Sequence, residues 1–239
     1  MLDVRIQLSL WALASFALGI LGTWLSRRLP LQPWLRTPLG LVAGELFAFG
    51  YYVGFPFLTL ITGALTPPLL GLSAVGATNG VLGFSAQQWA RAIGATFAAV
   101  SACLLSLWLA ARDGADALEQ PHSLPESARL AIYRELQWAF YRAAFVVWFG
   151  DYAGTMLATL AIAGAHAAWW RVHTPARPRM LVTLLCALFS GVMYLGARNV
   201  WLAILGQCLI RWLGERCFKH PRAAAQPRAS APQAVLDQR

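Results

Sequence analysis

Charge is what this chain has least of. Only 12% of its 239 residues are Asp, Glu, Lys or Arg, and there is a single lysine, Lys219. The net charge of +9 therefore rests on arginines, which stand singly or in pairs at the ends of apolar runs and do not form a continuous basic stripe. That placement follows the positive-inside rule and argues against a nucleic-acid partner. Cysteine is scarce too: Cys103, Cys186, Cys208 and Cys217 contain no CxxC pair, which removes both a disulfide framework and a zinc knuckle. A glycine-rich phosphate loop, an HExxH helix and a GxSxG elbow are also missing, as is any convincing internal repeat.

What is abundant is apolar sequence. Hydrophobic residues make up 58% of the chain and mean hydropathy is +0.54, in segments close to the roughly 20 residues that span a bilayer core. The reading is an all-α polytopic membrane protein of about seven transmembrane helices. The bundle occupies residues 1–218, and 219–239 form a tail too poor in large apolar groups to pack, hence disordered or partner-held. The first apolar run, Ile6 to Leu25, is too long for a signal-peptide core and is retained as helix one.

Helices are expected over roughly 5–26, 39–65, 89–111, 126–150, 152–170, 180–197 and 200–218. Pro56 should kink the second, and its Gly40/Gly44 and Gly50/Gly54 pairs allow close helix approach. Residues 66–88 carry no charge and suit an outer loop, a re-entrant segment or a weak extra span. An eighth crossing would put Arg171, Arg177 and Arg179 opposite Arg27, Arg28 and Arg36, which the charge distribution disfavours. The orientation that results is N-terminus out and C-terminus in, in a bacterial-type inner membrane. Trp24, Trp34, Trp89, Trp108, Trp169, Trp170 and Trp201 fall near span ends, as interfacial anchors do.

The fourth helix carries Arg134, Glu135, Gln137 and Arg142 in a stretch otherwise apolar enough to cross. At about 100° per residue, the seven-residue step from Glu135 to Arg142 puts both on nearly one face. An ionisable group in a span costs about 2.5–3.5 kcal/mol on the insertion scale, so it faces protein or a wet cavity, and the other helices should surround this one. Counting about 1.5 Å per residue, Glu45, Arg134, Glu135 and Arg211 share a depth of roughly 10 Å, with His166 shallower and Gln137 and Gln207 deeper. A permanent cation at Arg211 must snorkel or find a carboxylate. Arg211 or Arg134 is therefore expected to pair with Glu45 or Glu135.

The order of polar features over residues 82–213 resembles the CPBP family, the CAAX proteases and bacteriocin-processing enzymes, which are intramembrane glutamate proteases. The first family motif, EExxxR, aligns with Gln137, Trp138 and Arg142, followed by the small Ala143. The second, FxxxH, aligns with Phe189 and Met193, and the third, HxxxN or HxxxD, with Gln207 and Arg211. The resemblance implies the family's helical bundle, while the acid, base and oxyanion groups are replaced. Glutamine cannot act as a base, and Met193 offers no useful hydrogen bond. Glu135, two positions early, leaves the helix about 160° from Gln137.

The expected function is accordingly a non-catalytic scaffold or accessory subunit that binds a membrane protein complex, a lipid or a hydrophobic cofactor. Its partners would be membrane lipids and other membrane subunits. An atypical peptidase using Glu135 or Glu45, and a carrier or channel lined by the polar layer, are the alternatives. No cofactor is predicted, although a lipid or pigment is compatible and His166 is a weak pigment ligand candidate.

Overall fold

A computed structural model describes residues 3–28, 37–72, 84–112, 118, 120–173 and 176–218. Its described elements are helical: α1 (Val4–Arg28), α2 (Pro38–Phe49), α3 (Phe55–Ile61), α4 (Ala86–Arg112), α5 (Leu124–His173), α6 (Arg177–Gly196) and α7 (Val200–Cys217). Among the described residues, five segments are long and apolar enough to cross a membrane: Val4–Gly22, Pro38–Ile61, Ala86–Arg112, Leu124–Arg171 and Arg177–Gly196. The tail lies outside the described residues, as do residues 73–83 within the 66–88 stretch where an outer loop, re-entrant segment or extra span is expected.

α2 and α3 are one apolar segment joined by a π-turn at Gly50–Gly54. The irregularity expected at Pro56 thus falls on the turn before it. Proline has no N–H for the ladder and its ring crowds the carbonyl four residues back, that of Tyr52, so the widened turn sits where the α-helical bond is missing.

α5 is long only in sequence. Gly150 breaks it with φ 75° and ψ 174°, a conformation that favours glycine. A Cβ placed on Gly154 would lie 2.6 Å from Val146 Cα, although eight residues of straight helix span about 12 Å. The limbs 124–149 and 151–173 therefore fold back on each other as a tight hairpin. The break falls where the fourth and fifth sequence helices were divided.

The first limb of α5 is the axis of the bundle. Its Trp138 face joins Val100 and Leu107 of α4, Val182 and Phe189 of α6 and Ile210 of α7 in one core. Ala139, Phe140 and Ala143, on another face, pack with Leu8 of α1 and with Leu65 and Leu70. Leu70 ends a short 3-10 turn, Pro67–Leu70, and Leu65 lies just before it. The turn is tied to the α6–α7 corner, where the Val200 N–H donates to the Gly71 carbonyl at 3.0 Å. Gly71 has φ 76°, and a Cβ there would press to 3.3 Å from the Arg198 carbonyl oxygen, so glycine is needed twice over.

Leu13, Leu39, Phe97, Leu160, Leu188 and Leu205 are all exposed, on α1, α2, α4, α5, α6 and α7. Apolar side chains facing outward on every long helix are what a lipid-solvated bundle presents; a soluble monomer rarely exposes more than a few hundred Å² in one patch. Polar residues are instead gathered inside.

Candidate functional site

The interior polar cluster is built on the α5 face that carries Glu135 and Arg142. Side chains in a helix lean toward its N-terminus, so the long arginine reaches back along two turns to the carboxylate. Arg142 Nη1 lies 3.7 Å from Glu135 Oε1. The other carboxylate oxygen, Oε2, accepts a hydrogen bond from Gln207 Nε2 on α7. Arg142 Nη2 donates to Ser190 Oγ on α6, and its guanidinium carbon lies 4.8 Å from the centre of the Tyr194 ring. Glu135, Arg142, Ser190 and Gln207 are each at most 2% exposed.

The space beside this cluster is small. A cavity of about 10 Å³ is lined by Glu135, Arg142, Tyr194, Asn199 and the Gly71 turn, among others. That is at the lower limit for one water molecule. Arg142 Nε and Gln207 Oε1 are left without a protein partner, as are the Tyr194 hydroxyl and Asn199 Nδ2 on the cavity lining.

The other motif positions go elsewhere. Gln137 Nε2 donates to the Tyr141 hydroxyl at 3.4 Å, in a group that includes Ser15 and Tyr51 on α1 and the π-turn. Trp138 and Met193 are core residues, and the Met193 sulfur accepts from the Thr96 hydroxyl at 3.6 Å. Three of the motif-aligned positions, Gln137, Trp138 and Met193, therefore do not join the Glu135 cluster, whereas Arg142 and Gln207 do.

The shared depth of Glu45, Arg134, Glu135 and Arg211 does not become a shared network. Glu45 is exposed on α2 and pairs with Arg129, about half of each side chain being accessible. Glu135 takes Arg142. The expected pairing of Arg211 or Arg134 with either glutamate is not formed: axial depth fixes height but not the direction a side chain faces, and Arg142 reaches Glu135 along its own helix. Arg134 Nη1 instead donates to Thr183 Oγ1 at 3.0 Å. Arg211 is buried, with Nε and Nη2 unbonded. His166 sits between two aromatic rings, edge-on to Trp138 and stacked on Trp170, both at 5.8 Å between centres.

Two features escaped the sequence reading. Ser190, the one hydroxyl in the Phe189–Met193 stretch, is the cross-helix partner of Arg142; its place beside the motif phenylalanine was the available signal. The second is Glu215, buried near the end of α7. It accepts the His122 backbone N–H at 2.8 Å and meets His122 Nδ1 at 2.7 Å, which fastens the α4–α5 connection to α7. The adjacent Leu118 N–H donates to the Phe218 carbonyl at 2.9 Å.

Chemically, the cluster is a carboxylate met on one oxygen by a permanent cation and on the other by an amide, with no imidazole contacting it among the described residues. It can fix the register of α5, α6 and α7. Among proteins of known family, curated function or solved structure, none matches the chain. Fold and cluster together define an all-helical protein with, among the described residues, five helices long and apolar enough for a membrane and a polar interior.

Proposed function

We propose that this protein is a non-catalytic integral membrane scaffold, a CPBP-like bundle that binds a membrane protein complex, a lipid or a hydrophobic cofactor. Counting Pro38–Ile61 as one crossing, each limb of α5 as one, and α7 as another gives seven spans. The N-terminus is then outside and the C-terminus inside a bacterial-type inner membrane. The observation that carries the reading is that Glu135 has both oxygens engaged beside a cavity of only about 10 Å³. A peptidase of the CPBP type needs a free carboxylate, a water and room for a peptide carbonyl. Purification in mild detergent tests the proposal: the chain should co-migrate in fixed stoichiometry with a larger membrane assembly, and migration as a lone monomer from its native membrane counts against it.

An atypical intramembrane peptidase is the second reading. Its support is the convergence of Glu135 with Arg142 and Gln207, two positions that align with family motifs. On that reading Glu135 replaces the missing motif glutamate, and opening of the Gly71 turn would have to admit water.

A further inference from the structure

The cavity beside Glu135 has more hydrogen-bonding groups on its wall than the protein itself satisfies. Arg142, Tyr194 and Asn199 all line it and are at most 3% exposed. Each keeps one polar atom without a partner among the described residues: Arg142 Nε, the Tyr194 hydroxyl and Asn199 Nδ2. The rest of each side chain is already committed. Arg142 turns Nη1 toward Glu135 and donates from Nη2 to Ser190, which leaves Nε. Asn199 spends Oδ1 on the Trp201 and Leu202 N–H groups at the start of α7, which leaves the nitrogen at the other corner of its planar amide. The Tyr194 ring packs on the guanidinium, whose carbon lies 4.8 Å from the ring centre.

A buried donor with no acceptor carries its full desolvation penalty, so native interiors meet such groups with ordered water wherever a polar cavity can hold it. A volume of about 10 Å³ admits one water and nothing larger. Charge narrows the choice in the same direction. An anion here would lie against the Glu135 carboxylate and a cation against Arg142, whereas water both accepts and donates. It can accept from Arg142 Nε and Asn199 Nδ2 and donate to Glu135, because a carboxylate oxygen that faces a cation still has a second lone pair. The Tyr194 hydroxyl completes a set of partners of the usual size for a buried water.

We infer that this cavity is a binding site for one ordered water, which ties α5 to α6 and to the α6–α7 corner beside the Gly71 turn. Two of its ligands, Tyr194 and Asn199, stand at none of the motif-aligned positions. The water occupies the whole space and leaves none for a peptide carbonyl. It is a structural bridge, and it stands whether or not the chain serves as a scaffold.

Radiolytic hydroxyl-radical footprinting of the full chain in detergent tests this, because radicals formed from an ordered interior water oxidise the side chains that touch it. After correction for intrinsic reactivity, Tyr194 should label several-fold faster than Phe189, which is 2% exposed and not on the cavity wall. Ala203→Val fills the cavity from its α7 side and should bring Tyr194 down to the Phe189 rate. Equal labelling of Tyr194 and Phe189 in the wild-type chain, or undiminished Tyr194 labelling in folded Ala203→Val, overturns the inference. Should that variant fail to fold, a crystallographic map decides. A water peak within hydrogen-bond distance of both Arg142 Nε and Asn199 Nδ2 supports the site, and no such peak at a resolution that shows ordered water overturns it.

Discussion

Glu135 and Arg142 stand seven residues apart on one helix and meet across 3.7 Å in the interior of the bundle, each at most 2% exposed. Because the acid is also bonded to α7 and the base to α6, this pair joins three helices. Removing one partner strands the other as a buried, uncompensated charge. Glu135→Gln or Arg142→Met alone should each destabilise by about 3–5 kcal/mol, and the double variant by clearly less than their sum. Reversible unfolding in detergent, read as a double-mutant cycle, measures the coupling.

The α5 hairpin makes a backbone prediction. Gly154→Ala brings a methyl group to 2.6 Å from Val146 Cα and 2.7 Å from its nitrogen, and backbone cannot swing aside as a side-chain tip can. A loss of roughly 1–3 kcal/mol is expected. Gly164→Ala, on the same limb with open space around it, should be neutral or stabilising by up to about 1 kcal/mol. Tm values of the two variants in one detergent make the comparison.

Glu215 predicts local protection. With the carboxylate replaced in Glu215→Gln, the His122 amide loses its 2.8 Å charged acceptor. A hydrogen bond to a charged group contributes about 1.5–3 kcal/mol, so exchange of that amide should accelerate by roughly 10- to 100-fold. Hydrogen exchange read at residue resolution tests this, with amides in the middle of α4 as unchanged controls.

Topology follows from the proposed seven crossings. On a background with all four cysteines replaced, Arg171→Cys and Arg198→Cys flank α6 and should react with an impermeant maleimide from opposite sides of the membrane. Labelling of both from the same side contradicts the seven-span arrangement.

Much of this architecture was legible in the chain. The helix ends near Val200 and Gly150 follow from punctuation that local chemistry makes readable. Asn199 caps α7 by accepting the Trp201 and Leu202 N–H groups, and Gly150 adopts a positive φ. The common face of Glu135 and Arg142 follows from helical periodicity alone. The partners across helices do not: nothing in one helix says that Gln207 or Ser190 will lie opposite. Glu45 shows the limit from the other side. Its depth could be counted, yet its outward direction is set by how α2 packs, and there it meets Arg129 84 residues later. Arg211 was expected to find a glutamate for the same reason, since height was readable and azimuth was not.

The central claim is that Glu135 holds the bundle together and performs no proton transfer. Cleavage of a prenylated or membrane-inserted peptide by the purified full chain tests it most directly, with Glu135→Gln assayed alongside. The account predicts no cleavage above background by either protein. Cleavage by the wild-type chain that Glu135→Gln abolishes, while the variant remains folded, would contradict it.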